Sequence, residues 1–172
     1  MNLFDLSRAL LETLGIPYIG SPSTRTSQVV DKAMSKFIMQ EYNITCPPGQ
    51  VLLKHSKVNK SKITYPCVVK PTTTENSVGI TLVKSESDLD KAIKKAFQYS
   101  ADIIIEKFIA GREIRCSVIQ ETNSQGEKIL TALTPQEYEV RQHDLRTTED
   151  KILMDDNGLP LSKYNKGIIF IS

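Results

Sequence analysis

The feature that most limits the fold of this chain is a series of short apolar strands and polar turns between Tyr65 and Arg115. One strand ends at Lys70, and a polar loop leads from it to a second strand at 79–83. Apolar residues at helical spacing then fill 85–99, and a further strand follows. Short strands joined by turns, with one helix between them, predict an α+β domain with an antiparallel sheet and packed helices.

The other elements follow from periodicity and turn residues. We expect helices at 3–14, ending at Gly15, and at 30–42. Further strands are expected at 50–53, 67–69, 102–109, 113–120 and 128–134, the last two joined by the turn TNSQGE. Ser85 and Asp88 predict a capping box at the start of the helix 85–99. Beyond Thr134 no period is visible, which is typical of a long polar loop or a lid.

Composition excludes several classes of protein. The 172 residues contain 22 Lys+Arg and 20 Asp+Glu, a net charge of +2 without the clustered positive charge of a nucleic-acid-binding protein. No apolar run reaches the length of a membrane span, and the first residues lack signal-peptide features, so we expect a cytoplasmic protein. Cys67 and Cys116 lie in apolar runs and are expected to be buried thiols, while Cys46 has no partner spacing. His55 and His143 are isolated and expected to be solvated.

Lys70 and the loop after it carry the first chemical signal. The lysine ends a strand and precedes a proline, so its ammonium group should project from a fixed backbone. The loop 72–77 contains four hydroxyl side chains and an asparagine, and Gly79 follows. A lysine point charge and a loop of hydroxyl and N–H donors suit phosphate oxygens. The alternative is a polar turn with Lys70 as a solvated strand end.

Glu106 and Glu113 carry the second signal. The segment Glu106–Ile109 emerges from a buried isoleucine run, and its backbone N–H and C=O groups are the donor and acceptor that an adenine edge requires. Phe108 and Ile109 could supply apolar walls. Glu113 follows a turn, and its two oxygens could accept both ribose hydroxyls. The alternative is a hairpin with solvated carboxylates. Together with the Lys70 loop, this spacing predicts an ATP site.

The motifs PCVVKP, NSVGITLV and IIIEKFIAGREIRCSVI, taken in this order, resemble the central region of D-alanine–D-alanine ligases, in the ATP-grasp superfamily. Upstream, LLETLGIPYIGS and DKAMSK resemble the passage out of that family's N-terminal domain. The resemblance covers about residues 6–120. It implies that 1–27 end a preceding α/β domain, that 28–134 form the ATP-grasp nucleotide-binding domain, and that 135–172 form a lid-like loop and the start of a C-terminal part.

The resemblance also implies roles for individual residues. Lys32 and Lys70 match two lysines that contact ATP phosphates, although Lys32 alone would be read as a helix-surface lysine. Ser77 and Val78 fit the phosphate loop, whereas Glu75 and Asn76 replace a glycine and a serine, and the lost glycine should stiffen that loop. The segment for adenine and the glutamate for ribose complete the implied ATP-binding set, which is Lys32, Lys70, Ser77, Val78, Glu106, Lys107, Phe108, Ile109 and Glu113.

The implied reaction activates a carboxylate as an acyl phosphate with ATP, and an amine then attacks it. ATP and magnesium are the implied cofactors, with the metal ligands and the catalytic residues expected outside this chain. Glu41-Tyr42-Asn43 and Glu121-Thr122-Asn123 resemble the family's metal motif but lie too early in the chain. Two alignments of the lid's lysine–tyrosine pair remain open, Glu137–Arg141, with arginine replacing lysine, and Lys163-Tyr164.

We therefore expect the ATP-binding portion of a D-alanine–D-alanine ligase-like enzyme, cut from a longer chain at both ends and inactive alone. Its implied partners are ATP and a small amino acid such as D-alanine, with no nucleic acid and no membrane. A homodimer of the complete enzyme is left open. The alternatives are another ATP-grasp carboxylate–amine ligase and a non-catalytic nucleotide-binding module, which the altered phosphate loop favours.

Overall fold

A computed structural model of the chain describes residues 3–138, 145 and 169–170. Contacts between Cα atoms divide the chain into two units, Met1–Phe108 and Ile109–Ser172, each described here by itself. This boundary falls inside the segment 28–134. The helices of the first unit are α1 (Leu3–Thr13), α2 (Ser23–Val30), α3 (Lys32–Glu41) and α4 (Leu89–Ala96), and its strands are β1 (Gly49–Leu53), β2 (Cys67–Pro71), β3 (Thr81–Val83) and β4 (Asp102–Lys107). The second unit contains β5 (Glu113–Arg115), β6 (Val118–Thr122), β7 (Lys128–Ala132), β8 (Gln136–Tyr138) and β9 (Ile169–Phe170).

The sheet of the first unit has the order β1-β4-β2-β3, and all neighbouring strands are antiparallel. β4 is an inner strand, between β1 and β2. Its residues Ile103, Ile104 and Ile105 are all nearly fully buried, so both faces of the sheet are covered at this strand. α4 covers one face, where Leu89 and Ile93 join Ile103 and Ile105 in the main core. The predicted α+β fold with an antiparallel sheet is confirmed.

The strand register places a different set of side chains on the opposite face. Lys70 pairs with Ile104, and Val68 pairs with Glu106. Alternate residues of a strand point to opposite faces. Because Ile103 and Ile105 lie in the core under α4, the face of Ile104 also carries Val68, Lys70 and Glu106. α3 contacts β4. A lysine and a glutamate are thus brought close together, diagonally across two neighbouring strands on one face of the sheet.

The helices before the sheet differ from the prediction at two points. α1 is confirmed, and Gly15 ends it with φ +66 in a Schellman motif, in which Ile16 N–H donates to Leu11 O at 2.9 Å. The helix predicted at 30–42 begins two residues later, because Asp31 has an extended backbone (φ −77, ψ 110). Its carboxylate accepts from the N–H groups of Ala33 and Met34 and so caps α3. The preceding helix α2 was not predicted.

The predicted capping box before α4 is wrong. A 3-10 turn at Glu86–Asp88 separates Ser85 from the first α-helical residue, Leu89. The side chain of Ser85 therefore makes no bond to a helix N–H group, and its Oγ lies 3.4 Å from Asp88 Oδ2 instead. The helix itself is confirmed, although α4 ends at Ala96.

The second unit contains two small sheets among its described residues, β5-β8-β9 and β6-β7. The hairpin β6-β7 is confirmed: Asn123 Oδ1 accepts from the N–H groups of Gln125 and Glu127, and Gly126 has φ +82. The single strand predicted at 113–120 is wrong. The chain leaves the extended pairing at 116–117, so β5 and β6 belong to different sheets.

Of the two predictions of a buried cysteine, one is confirmed and the other is wrong. Cys67 in β2 is buried, as predicted, but Cys116 is exposed. Its burial was predicted wrongly because every residue of β5, β6 and β7 is exposed, although several are apolar. An apolar run therefore did not indicate a buried strand here.

The lid predictions fall largely outside the described residues. Lys163-Tyr164 and residues 139–141 lie there, whereas Glu137 and Tyr138 belong to β8, a strand that was not predicted. In the described part of the chain, no helix has the length and apolar character needed to cross a bilayer.

Candidate functional site

The centre of the candidate site is the carboxylate of Glu106, near the end of β4. Lys70 Nζ lies 2.5 Å from its Oε1, and Lys36 Nζ lies 3.2 Å from its Oε2. Lys70 comes from β2, the next strand, and Lys36 comes from α3. Lys36 also donates to the backbone oxygen of Pro47. One carboxylate thus holds a lysine of the neighbouring strand and a lysine of the helix α3.

The three side chains of this bridge are mostly removed from solvent. The exposed fractions are 13% for Lys36, 11% for Glu106 and 21% for Lys70. A poorly solvated carboxylate requires partners, because removing it from water costs several kcal/mol. Two cations against one carboxylate leave positive charge in excess. The bridge is therefore suited to a further anionic group.

Lys32 lies at the start of α3, against the loop that follows Lys70. Its backbone N–H donates to Thr72 O at 2.9 Å, and its Nζ donates to the backbone oxygens of Thr72 and Thr74. The side chain is half-buried. Lys32 is therefore fixed on the predicted phosphate loop and is not an ordinary helix-surface lysine.

The base of the loop is held by Thr72, whose residue is 2% exposed. Its N–H and its Oγ1 both donate to Asp102 O at 3.1 Å, and Ser100 Oγ lies 3.0 Å from the same hydroxyl. Further along, Thr74 Oγ1 donates to Val78 O at 2.9 Å. These bonds fix both ends of the segment 72–78.

The tip of the loop is a tight turn in which Val78 N–H donates to Glu75 O at 3.1 Å. Its two central residues, Asn76 and Ser77, have φ 53 and φ 63, the left-handed pair that defines a type I′ turn. Glu75 does not have a positive φ, so this conformation needs no glycine at position 75. The conformational demand falls on 76 and 77, and Asn tolerates it better than most residues.

The segment 106–109 agrees only partly with its predicted role. The N–H of Lys107 donates to Pro48 O at 2.8 Å, and the N–H of Phe108 donates to Pro66 O at 2.9 Å. Both donors are therefore used within the protein and are not available to a base. Ile109 and Glu113 belong to the second unit, where both are exposed.

A small pocket lies beside this segment in the first unit. Its lining is Pro48, Gly49, Lys62, Ile63, Thr64, Cys67, Ile105, Glu106 and Lys107. Burial raises the pKa of the Cys67 thiol, which keeps this cysteine protonated near neutral pH. The pocket is consequently lined by apolar residues, by Lys62 and Lys107 and by Glu106, without a thiolate nucleophile from Cys67.

Comparison with known proteins decides the family. The family model of the D-alanine–D-alanine ligase C-terminus matches residues 38–157. The chain belongs to the D-alanine–D-alanine ligase family. This confirms the resemblance inferred from the motifs around Lys70 and Glu106. Lys32 and Lys36 precede the matched segment, whereas Lys70, the loop and Glu106 lie inside it.

Individual relatives support this family assignment. A D-alanine–D-alanine ligase of Clostridium botulinum is 41% identical over 114 residues, which are 64% of this chain and 38% of that protein. D-alanine–D-alanine ligase A of Bacillus cereus is 32% identical over 83% of this chain and 48% of its own length. The Bacillus anthracis D-alanine–D-alanine ligase complexed with ATP superposes with a TM-score of 0.65 at 28% identity, over 78% of this chain and 43% of that one. The chain thus spans less than half the length of these relatives.

Sequence reasoning missed Lys36 and Ser100 in this member of the family, and it counted the hydroxyl of Thr72 as a phosphate donor although that group bonds within the protein. Lys36 had a signal: it stands four residues after Lys32, so both lie on one face of a helix. Thr72 follows Lys70 by two residues, which is the spacing of side chains on one face of a strand. Nothing in the local sequence around Ser100 indicates that it reaches the loop, because that contact joins residues 28 positions apart.

Proposed function

We propose that the first unit of this chain binds ATP, with the polyphosphate in contact with Lys32, Lys70 and the loop 72–78. The observation that carries the proposal is the placement of Lys32 against the loop that follows Lys70, and of Lys70 in the bridge with Glu106. The likeness to a Bacillus anthracis ligase complexed with ATP supports it.

The donor set suits a polyphosphate. Lys32 and Lys70 supply positive charge, and the loop carries hydroxyl groups at Thr73 and Ser77. ATP, when bound, would supply the phosphoryl group that activates a carboxylate. The lysines would offset negative charge on the phosphate oxygens. Among residues 3–138, 145 and 169–170, no group of three or more His, Cys, Asp or Glu could hold a metal ion, so we assign no magnesium ligand there.

The adenine and ribose contacts remain predictions. Since the N–H groups of Lys107 and Phe108 are donated within the protein, an adenine edge would use backbone carbonyl oxygens of this segment or the N–H of Ile109. The apolar wall proposed for Phe108 and the ribose contact proposed for Glu113 rest on the family resemblance.

Calorimetric titration of the chain with ATP tests the binding proposal. We expect saturable heat at millimolar nucleotide or below for the unaltered chain. Lys70→Met should weaken the affinity about tenfold, the loss of one charge-assisted contact. Lys94→Met removes an exposed lysine from α4 and should leave the affinity unchanged. If the unaltered chain shows neither heat nor competition with a labelled nucleotide, the proposal is wrong.

At the level of the reaction, we propose that the protein carrying this region is an ATP-dependent D-alanine–D-alanine ligase. The relatives named above support this, although the chain spans less than half of each. The complete natural protein should release phosphate from ATP only when D-alanine is present. A cytoplasmic location and a homodimer are further predictions, and light scattering on the complete protein measures the dimer.

Another ATP-grasp ligase or a non-catalytic nucleotide-binding module is the second candidate. The feature that favours it is the sequence of the loop, in which the resemblance puts Glu75 and Asn76 in place of a glycine and a serine. Phosphate release with amino acids other than D-alanine would support a different ligase. ATP binding without phosphate release under any of these conditions would support the module.

A further inference from the structure

We propose that Lys36 is a positioning residue that keeps Glu106 paired when Lys70 leaves it for a phosphate group. The inference rests on the proposed ATP site and assigns a role to a residue that lies outside the segment matched by the family model. In this view Lys70 is the exchangeable partner of Glu106, and Lys36 is the permanent one.

The two oxygens of Glu106 are divided between the two lysines. Oε1 lies on Lys70 at 2.5 Å, and Oε2 lies on Lys36 at 3.2 Å. The carboxylate is only 11% exposed, so water does not replace a lost partner fully. Removing one member of a poorly solvated ion pair leaves an uncompensated charge, which is strongly unfavourable. Lys70 can therefore leave Glu106 at low cost only if Lys36 stays.

The two lysines differ in how firmly they are held. Lys36 has a second acceptor, the backbone oxygen of Pro47, and its side chain is 13% exposed. Lys70 has Glu106 as its partner within the described residues, and its side chain is more exposed, at 21%. It also lies two residues before Thr72, where the phosphate loop begins. These differences make Lys70 the lysine that can move to an incoming anion.

The exchange is a change of ion-pair partners without a covalent step. The Lys70 Nζ–Glu106 Oε1 pair separates, a pair between Lys70 Nζ and a phosphate oxygen forms, and the Lys36 Nζ–Glu106 Oε2 pair persists. Without Lys36, Glu106 would retain Lys70 and compete with the phosphate. Loss of Lys36 should therefore weaken phosphate binding through Glu106, without any contact between Lys36 and the ligand.

The bridge can be tested without nucleotide by trace acetylation of lysines with limiting acetic anhydride, read by peptide mass spectrometry. In Glu106→Gln, Lys70 should react about fivefold faster than in the unaltered chain, corresponding to loss of an ion pair of about 1 kcal/mol. Lys36 should change less, because it keeps Pro47 O, and Lys94 should not change. Equal rates for Lys70 in both proteins would overturn the inference.

The exchange is tested by a double-mutant cycle on the binding of inorganic tripolyphosphate and of ATP. Lys36→Met should weaken both about tenfold, and Lys36→Arg should restore most of the loss. In the Lys36→Met background, Glu106→Gln should recover the affinity to within about threefold of the unaltered chain, because it removes the competitor for Lys70. The same Glu106→Gln change should have a much smaller effect when Lys36 is present.

The outcomes separate this inference from the proposed function. Additive effects of the two changes, or a Lys36→Met protein that binds normally, would overturn the role of Lys36 while ATP binding stands. Absence of binding in the unaltered chain would overturn both. Circular dichroism melts of each variant show whether a loss of affinity comes from unfolding. If it does, the acetylation rate of Lys70 in Glu106→Gln tests whether Glu106 holds Lys70.

Discussion

Gly49 shows how single residues determine the geometry of the site. It pairs with Glu106 across β1 and β4. A Cβ atom at this position would lie 2.7 Å from Glu106 Cα and closer still to the carbonyl oxygen of Ile105. Both neighbours are backbone atoms of an inner strand and cannot rotate away. The close approach of β1 to the residue that holds both lysines therefore requires glycine.

Gly49→Ala should destabilise the chain by about 2 kcal/mol, because β1 must move away from β4. Urea unfolding followed by circular dichroism measures the change. Gly111→Ala is the matched control, since a Cβ atom added there would meet no atom within 4 Å and the change should stay within about 0.5 kcal/mol. Equal stability of the two variants would contradict the close approach at Gly49.

Asn76 offers a second test at the residue scale. Its φ of 53 is tolerated by asparagine and glycine, but it is unfavourable for a β-branched side chain. Asn76→Val should therefore destabilise the turn by about 1–2 kcal/mol, whereas Asn76→Gly should be close to neutral. Thermal unfolding of the two variants measures the difference. If valine is tolerated as well as glycine, the turn does not have the left-handed conformation described here.

At the scale of elements, α1 and α2 are joined by the carboxylate of Glu12. Its Oε1 accepts from Ser23 N–H at 2.8 Å and from the hydroxyl of Tyr18, and its Oε2 accepts from Ser23 Oγ. The side-chain hydrogen bond from Ser23, followed by the one from Tyr18, lowers the pKa of Glu12. The ionised form is thus favoured where α2 begins.

Because this pKa is lowered on folding, the contribution of Glu12 is fully present above the unfolded value of about 4.5 and is lost as the pH falls through the folded value. Measured relative to the intrinsic rate of an unprotected amide, which itself changes with pH, hydrogen exchange in α1 and α2 should accelerate over that window in the unaltered chain. In Glu12→Gln it should be faster already at neutral pH and depend less on acid. Glu41→Gln, an exposed change at the end of α3, should behave as the unaltered chain. An acid response that persists undiminished in Glu12→Gln would contradict this assignment.

Elements with strong periodicity or strongly apolar runs were predictable from sequence. The run Ile103–Ile105 gave β4, and helical spacing from Leu89 gave α4. α2 was missed because its sequence, STRTSQVV, has no apolar face, and its start depends on Glu12, eleven residues earlier. β8 was missed because a strand of three residues has no visible period.

The candidate site was predictable in its charged residues but not in their pairing. Lys70 and Glu106 follow from motif spacing, and Lys32 follows from the family resemblance. That Glu106 holds Lys70, and that Lys36 shares it, depends on the register of β2 with β4 and on contacts across 36 and 70 residues. The N–H groups of Lys107 and Phe108 were assigned to adenine because local sequence does not reveal their acceptors, Pro48 and Pro66.

For the whole molecule, the proposed ATP site lies on the first unit, on the sheet face opposite α4. The relatives place this chain in a ligase family. Lys32 and Lys70, beside the loop 72–78, support a phosphate site there. The exposed β5, β6 and β7 belong to the second unit, for which the described residues alone support no role in phosphate binding.

Amide chemical-shift mapping of the isotope-labelled chain during titration with ATP tests this assignment most directly. We expect saturable shifts concentrated at the start of α3, in the loop 72–78 and around Glu106, with α4 unaffected. These shifts should diminish in Lys70→Met and remain in Lys94→Met. No shifts at these residues with millimolar ATP, or shifts centred on α4, would contradict it.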